Sequence, residues 1–396
     1  MLDVARLAPG ITAIAEELSR NHAILGDMLR EAKKRIVNLD NDYVAVAQKL
    51  DKSQTSWLVA SFDPNNYPFQ TFPQPDRPSE YIALATDGSQ IIPDRNAAAH
   101  CCVLNLGKVV LRYGENAFAK LSSEPVVNMD DTLEDSSTEG EILSAKRVGQ
   151  LRDNLEHNGL ASLIAEYGDK GIPTVAFADG TLILWMVEKE TDSVKSESLK
   201  ALQGLFAKGR ESKMPVVSYI SRSGSRDVVN ALRVLQCPFD RIDCDRNCPD
   251  HAPPMRRTAP CGGVENLTDT ILFENLLNVG DRSAVFGSRS KILNSYEECN
   301  RIHFCYVHVG AEIARLEFPR WVAEDETMLN LVHTLAVNQA QKGNGYPRVL
   351  AEAHEQAVIR GADRDVFYHL LERALIRKNV RVRTTRKSMA KLSRTV

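Results

Sequence analysis

The sequence has no apolar run near the ~20 residues that a bilayer-spanning helix requires, so no membrane association is expected. Its first ten residues, MLDVARLAPG, lack the basic patch and apolar core of a secretory signal. It also lacks a regular cysteine framework. Eight cysteines are scattered over 396 residues, and Cys101 and Cys102 are adjacent, which points to a reducing cytoplasm rather than a disulfide-stapled secreted fold. No Walker A motif is present, so any ATP-driven movement must come from a partner. Charge of one sign is missing too: 49 basic and 52 acidic residues give a net −3, which by itself gives no sign of a nucleic-acid partner.

What is present is a globular composition, 43% hydrophobic and 26% charged. The length exceeds one module of ~100–200 residues. Charge is unevenly distributed. Residues 377–396 carry eight basic residues and no acid, leaving a net −11 on the 376 residues before them. That tail has the composition of a phosphate-contacting arm.

Residues 8–50 keep the 3.6-residue apolar spacing of a helix (Ile11, Ile14, Leu18, Leu25, Met28, Leu29, Ala32, Ile36), and 1–60 are expected to form a packing or dimerisation arm. Five prolines in 61–79 predict an extended linker. From residue 80 to 376, apolar strands alternate with helices in an α/β rhythm. Strands are expected at 81–86, 101–106, 108–113, 174–178, 216–220, 303–309 and 312–318. Helices are expected at about 144–166, 199–208, 227–235, 269–277, 325–341, 347–359 and 363–376. An acid-rich stretch at 130–141 is expected to be a solvated loop.

One local design occurs twice: an apolar strand running into Asp87-Gly-Ser, and another running into Asp179-Gly-Thr. Each puts a carboxylate at the strand end, where ligands bind in α/β sheets, with a glycine that lets backbone approach closely. Neighbouring carboxylates repel, and a divalent cation with a preference for oxygen relieves that repulsion. The helix between the strands offers Asp153 and Glu156, with Glu141 just before it. Strand-Asp, hairpin, helix-acid, strand-Asp is the order of a ribonuclease H-like mixed sheet flanked by helices. In that fold two metals ~3.5–4 Å apart clamp the attacking and leaving oxygens of phosphodiester cleavage.

Four stretches in this order resemble the NurA nucleases: Ala85-Thr-Asp-Gly-Ser-Gln90 with Ile92-Pro-Asp-Arg95; Phe177-Ala-Asp-Gly-Thr-Leu182; Ile313-Ala-Arg-Leu-Glu-Phe-Pro319; and Gly345-Tyr-Pro-Arg-Val-Leu-Ala-Glu-Ala-His354. The resemblance runs from about residue 80 to 376. It implies a 5′→3′ DNA nuclease using Mn²⁺ or Mg²⁺, a homodimer, and a HerA-like hexameric ATPase as partner in double-strand break end resection. It also implies metal-ligand roles for Asp87 and Asp179, with Glu156 the best match for the helix acid and Asp153 and Glu141 left open. Tyr346 and His354 match the family's C-terminal active-site pair. Chemically, a histidine can coordinate metal, orient water or protonate a leaving oxygen, and a tyrosine hydroxyl can donate to phosphate.

Three arginines are candidate DNA contacts. Arg222 and Arg226 lie in Ser221-Arg-Ser-Gly-Ser-Arg226 between a strand and a helix, where free backbone N–H groups could hold a phosphate. Arg315 shares one strand face with Glu317, either near DNA or in an ordinary salt bridge. Residues 237–263 form a Cys-rich insertion: Cys237, Cys244, Cys248 and Cys261, with His251 and Arg256-Arg257 nearby. The spacing is not that of common zinc knuckles. A structural Zn²⁺, an Fe–S cluster and unligated thiols are the alternatives. Two rivals to the nuclease are a non-catalytic nucleic-acid-binding scaffold on the same fold and, more weakly, an actin-like ATPase.

Overall fold

A computed structural model describes residues 7–92, 101–129, 145–168, 171–248, 259 and 261–380. In chain order it contains α1 (Ala8–Val37), α2 (Tyr43–Asp51), β1 (Thr71–Phe72), β2 (Tyr81–Ile91), β3 (Cys101–Tyr113), β4 (Phe118–Met129) and α3 (Ala145–Tyr167). There follow β5 (Thr174–Asp179), α4 (Asp192–Glu211), β6 (Val216–Ser221), α5 (Asp227–Leu235), α6 (Cys244–Asn247), α7 (Asp269–Glu274), β7 (Arg282–Ser283) and β8 (Phe286–Gly287). The chain ends with β9 (Ile302–His308), β10 (Ile313–Pro319), α8 (Arg320–Ala323), α9 (Glu326–Lys342), α10 (Arg348–Ala357) and α11 (Gly361–Arg377). No helix among the described residues is long and apolar enough to cross a membrane.

Two compact units share the chain: residues 1–76 with 219–345, and residues 77–218 with 346–396. This differs from the expected arm, linker and single body. In the first unit, Met28, Ala32, Ile36, Val46 and Leu50 of the supposed arm share one apolar core with Val228, Leu232, Phe273, Phe286 and Phe304. The proline-rich stretch is no free linker either. Phe62 and Phe69 are buried, Phe62 lies 5.5 Å from Phe286, and β1 pairs with β7. Burial of the aromatic residues between the prolines outweighs the extended bias of the prolines. The long predicted helix breaks at 38–42, where Asp42 accepts a hydrogen bond from the Ala45 N–H and restarts the chain as α2. The sheet of this unit runs β1-β7-β9-β10, with β8 also on β9, all antiparallel.

The second unit carries the mixed sheet, in the order β6-β5-β2-β3-β4; the first three residues of β6 belong to it. β2 pairs antiparallel with β3 and parallel with β5, and β3 pairs antiparallel with β4. This is the strand arrangement of the expected ribonuclease H-like core. Two details differ from the expectation. β2 does not stop at Asp87-Gly88 but continues to Ile91, and β3 is one strand through Gly107, which pairs opposite Asp87. The long partner strand supplies a hydrogen-bonded ladder that overrides the local turn tendency of Asp-Gly. β4 was not anticipated.

Side chains alternate between the two faces of a strand. Gly107 shares a face with Asp87, and α10 lies against it so closely that a Cβ there would collide with the Ala353 carbonyl oxygen. Gly88 and Leu106 share the other face, which α3 covers, with Gly159 of α3 packed on Leu106. α10 is also held at its C-terminus. Asn105 Nδ2 donates to the carbonyls of Ala357 (2.8 Å) and Gln356 (3.2 Å), and Ser89 Oγ donates to Ala357.

A buried histidine in the first unit makes stability pH-dependent. His333 Nε2 donates to the Gly280 carbonyl at 2.7 Å, Nδ1 has no partner, and burial pushes its pKa down to about 4. An unfolded histidine titrates near ~6.5, so the unfolded chain takes up the proton first. Stability is expected to fall as pH drops from about 6.5 toward about 4. His333→Gln should flatten that acid limb in urea unfolding at pH 7 and pH 5; a limb of unchanged slope would assign the loss to other groups.

Candidate active site

The second unit gathers Asp87, Glu156, Asp179, Tyr346 and His354. The register Ala85↔Phe177 of the parallel β2–β5 pair sets Asp87 and Asp179, each two residues on, side by side. Both carboxylates accept from the next residue's N–H (Gly88 at 2.8 Å, Gly180 at 2.9 Å), Asp87 within β2 and Asp179 at the end of β5. Gly180 takes a φ of +74°, which glycine adopts without the strain of a side chain.

Glu156 reaches the pair from α3. The space is made by Gly88: a Cβ there would lie 2.5 Å from Glu156 Oε1 and 2.6 Å from Arg152 Cγ. Thr86 Oγ1 donates to the Glu156 carbonyl at 3.0 Å and fixes the helix at this point. Burial pushes the Glu156 carboxyl up to about 8, against the pull of Arg152 and with further help from the negative charge of Asp153, Asp87 and Asp179. Asp179 is raised as well, first by desolvation and then by Asp87, although the hydrogen bond from Tyr346 opposes this.

Asp179 and Asp87 each have a hydrogen-bonding partner, while Glu156 has an ion pair. Tyr346 OH donates to Asp179 Oδ1 at 2.9 Å, His354 Nδ1 bonds Asp87 Oδ2 at 2.8 Å, and Arg152 Nε stands 3.1 Å from Glu156 Oε1. Arg152 was missed by the sequence reading. Its signal was available, because it precedes Glu156 by one helical turn and so shares its face. Asp153 turns to Arg152 Nη2 at 2.9 Å, while Glu141 lies outside the described residues.

The donor set suits a hard divalent ion: oxygen ligands from three carboxylates, two of them half-buried. Among the described residues no three His, Cys, Asp or Glu side chains already form a ligand cage. The carboxylate oxygens are instead engaged by Arg152, Tyr346 and His354.

The arginines expected at DNA fare differently, and all three lie in the first unit. Arg315 is 1% exposed; it pairs with Glu317 (2.9 Å) and Asp227 (3.1 Å) and stacks on Phe304 at 3.6 Å, so it is withdrawn from any DNA contact. Both faces of β10 are buried, which the alternating pattern did not reveal. Arg226 donates to the Glu265 carbonyl at 3.0 Å. Just past the 221–226 loop, the N–H groups of Val228 and Val229 at the start of α5 donate to the Asp269 carboxylate. Arg222 has a side chain 82% exposed.

The four cysteines of 237–261 are described, half-buried and in no disulfide, while His251, Arg256 and Arg257 lie outside the described residues. Burial, then the facing thiols of Cys261, Cys248 and Cys237, pushes the Cys244 thiol up to about 11. Residues 130–141, Pro93–Arg95 and the tail from 381 also lie outside the described residues.

A family model, the NurA domain, matches residues 82–359. The chain belongs to the NurA family. NurA is a family of nucleases, and the matched span includes Asp87, Glu156, Asp179, Tyr346 and His354. A comparison with curated proteins finds no match. Among solved structures, the chain is similar to a crystal structure of LC9-RNase H1, a type 1 RNase H with the type 2 active-site motif. The likeness has 14% identity and a TM-score of 0.18, covering 40% of this chain and 71% of that one, and it carries no argument here.

Gly88→Ala tests the seat of Glu156. The contacts a Cβ would make are side-chain atoms, so the Glu156 carboxylate should swing away while the backbone stays. Calorimetric Mn²⁺ affinity is expected to fall at least ~10-fold with circular dichroism unchanged; unaltered affinity would mean Gly88 does not set the position of Glu156.

Proposed function

We propose that this NurA protein is a metal-dependent deoxyribonuclease, with Asp87, Glu156 and Asp179 as the ligands of Mn²⁺ or Mg²⁺. The observation that carries this reading is the meeting of these three carboxylates with Tyr346 and His354. When bound, the ions supply a lowered pKa for water and charge stabilisation at phosphorus. The chain's own groups do the rest. Tyr346 orients the Asp179 carboxylate with its single O–H, which can turn to a phosphate oxygen only by giving up that bond. The bond from Asp87 to Nδ1 fixes the ring of His354. With its side chain 68% exposed, the histidine can exchange a proton through its second ring nitrogen with water or a leaving 3′-oxygen. His354 is also a candidate metal ligand.

The finer parts of the proposal come from the family: 5′→3′ resection at double-strand breaks, a homodimer, a HerA-like hexameric ATPase partner and a cytoplasmic setting. The scaffold alternative requires carboxylates too far apart to share ions. The electrostatic effect of Asp87 on Asp179 and Glu156 supports the nuclease instead.

The test is cleavage of 5′- and 3′-labelled DNA in Mn²⁺. Wild type should degrade from the 5′ end, and Asp87→Asn or Asp179→Asn should lose at least ~100-fold, the upper range even for groups outside the ligand shell. Full activity in either variant would remove that carboxylate from the mechanism, and DNA binding without cleavage by wild type would favour the scaffold.

A further inference from the structure

Arg233, on α5, is a buried cation with no acid partner among the described residues. It is 4% exposed. Its guanidinium lies 4.3 Å over the ring of Trp57, Nη1 donates to Asn230 Oδ1 at 3.2 Å, and Nε has no hydrogen-bond partner. The remaining nitrogen, Nη2, points at Cys261 Sγ at 3.9 Å. An arginine stays charged in proteins, and a buried charge without a counter-ion is destabilising. What Arg233 faces is sulfur.

The sulfur atoms come from three backbone segments held in place from outside. Cys237 follows α5, and Lys49 Nζ donates to its carbonyl (3.3 Å) and to that of Leu235 (3.0 Å). Cys244 and Cys248 stand one turn apart across α6. The turn is capped by Asp243, and the Cys244 N–H donates to the Gln54 carbonyl at 3.0 Å. Cys261 is fixed through its carbonyl by Arg35 Nη1 at 3.2 Å, with Arg35 Nη2 on the next carbonyl, Gly262, at 2.5 Å. Three anchored segments thus bring Cys237, Cys248 and Cys261 within electrostatic reach of Cys244, and put Cys261 beside the guanidinium.

We infer that Cys237, Cys244, Cys248 and Cys261 ligate one thiophilic metal centre, and that Arg233 is its buried counter-ion. Binding breaks four S–H bonds, releases four protons and forms four metal–sulfur bonds; with Zn²⁺ the product carries two negative charges, one of which Arg233 offsets. All four positions are filled by protein, so the site is structural and performs no chemistry. Among the described residues no three thiols already form a ligand cage, so loading should draw the segment together. An Fe–S cluster uses the same four thiolates, and the experiment separates the two occupants. The inference does not depend on the nuclease reading.

The test uses the full chain purified under reducing, anaerobic conditions. Zinc, iron and acid-labile sulfide are quantified, and metal-free protein is titrated with Co²⁺. One centre per chain is expected, with sulfur-to-Co²⁺ charge-transfer bands on titration. Cys244→Ser and Cys261→Ser should lose the centre, and Arg233→Met should weaken metal retention against a chelator at least ~10-fold. Iron with equimolar sulfide supports the site and names the cluster as occupant. Wild type that holds no metal and gives no charge-transfer band overturns the inference, as does metal retained equally by both cysteine variants. The Co²⁺ titration needs no variant, so misfolding of a variant cannot mask the answer.

Discussion

Repulsion among Asp87, Glu156 and Asp179 is the constraint on which the second unit depends. Three carboxylates in one cleft, one of them largely buried, are tolerable only with positive charge or donated hydrogens at hand. The fold supplies one partner to each from a different place: α10 brings His354 and the segment before α10 brings Tyr346 as hydrogen-bonding groups, and α3 brings the charge of Arg152. The Glu156 carboxyl is still pushed up to about 8, first by burial and then by the neighbouring acids, against the pull of Arg152. A cation-binding site requires carboxylates whose charge is not fully offset, because a fully neutralised cluster would have no reason to accept a cation.

Backbone proximity makes that arrangement possible. The parallel β2–β5 register aligns the two Asp-Gly pairs, and two glycines on opposite faces of the hairpin admit the two helices. Gly107 lets α10 sit against the sheet, and Gly88 opens room for Glu156. A side chain at either position would move a functional group rather than merely disturb packing.

The buried arginines of the first unit show how context assigns a role. Arg315 is enclosed by Asp227, Glu317, Tyr306 and Phe304, a satisfied network that explains its presence without any ligand. Arg233 is equally buried, yet its neighbours are an amide, an indole and a thiol. The same residue type at the same burial is complete in one case and short of an anion in the other.

Much was legible in the chain itself. Apolar spacing located α3, α5, α9 and α10 closely, and the repeated Asp-Gly after an apolar run marked Asp87 and Asp179, because such patterns are local and follow the period of the element. Residues whose meaning depends on distant partners were not legible. Arg315 reads as half-exposed by alternation but is buried on a strand covered on both faces. The prolines of 61–79 read as linker until their aromatic neighbours find a core. The N–H groups opening α5 find their acceptor in Asp269, some forty residues on. The sequence by itself determined which side chains could hold a metal and in what order they arrive. The tertiary structure alone decided that Asp87, Glu156, Asp179, Tyr346 and His354 meet, because strand register and helix docking are set by long-range packing that no local spacing encodes.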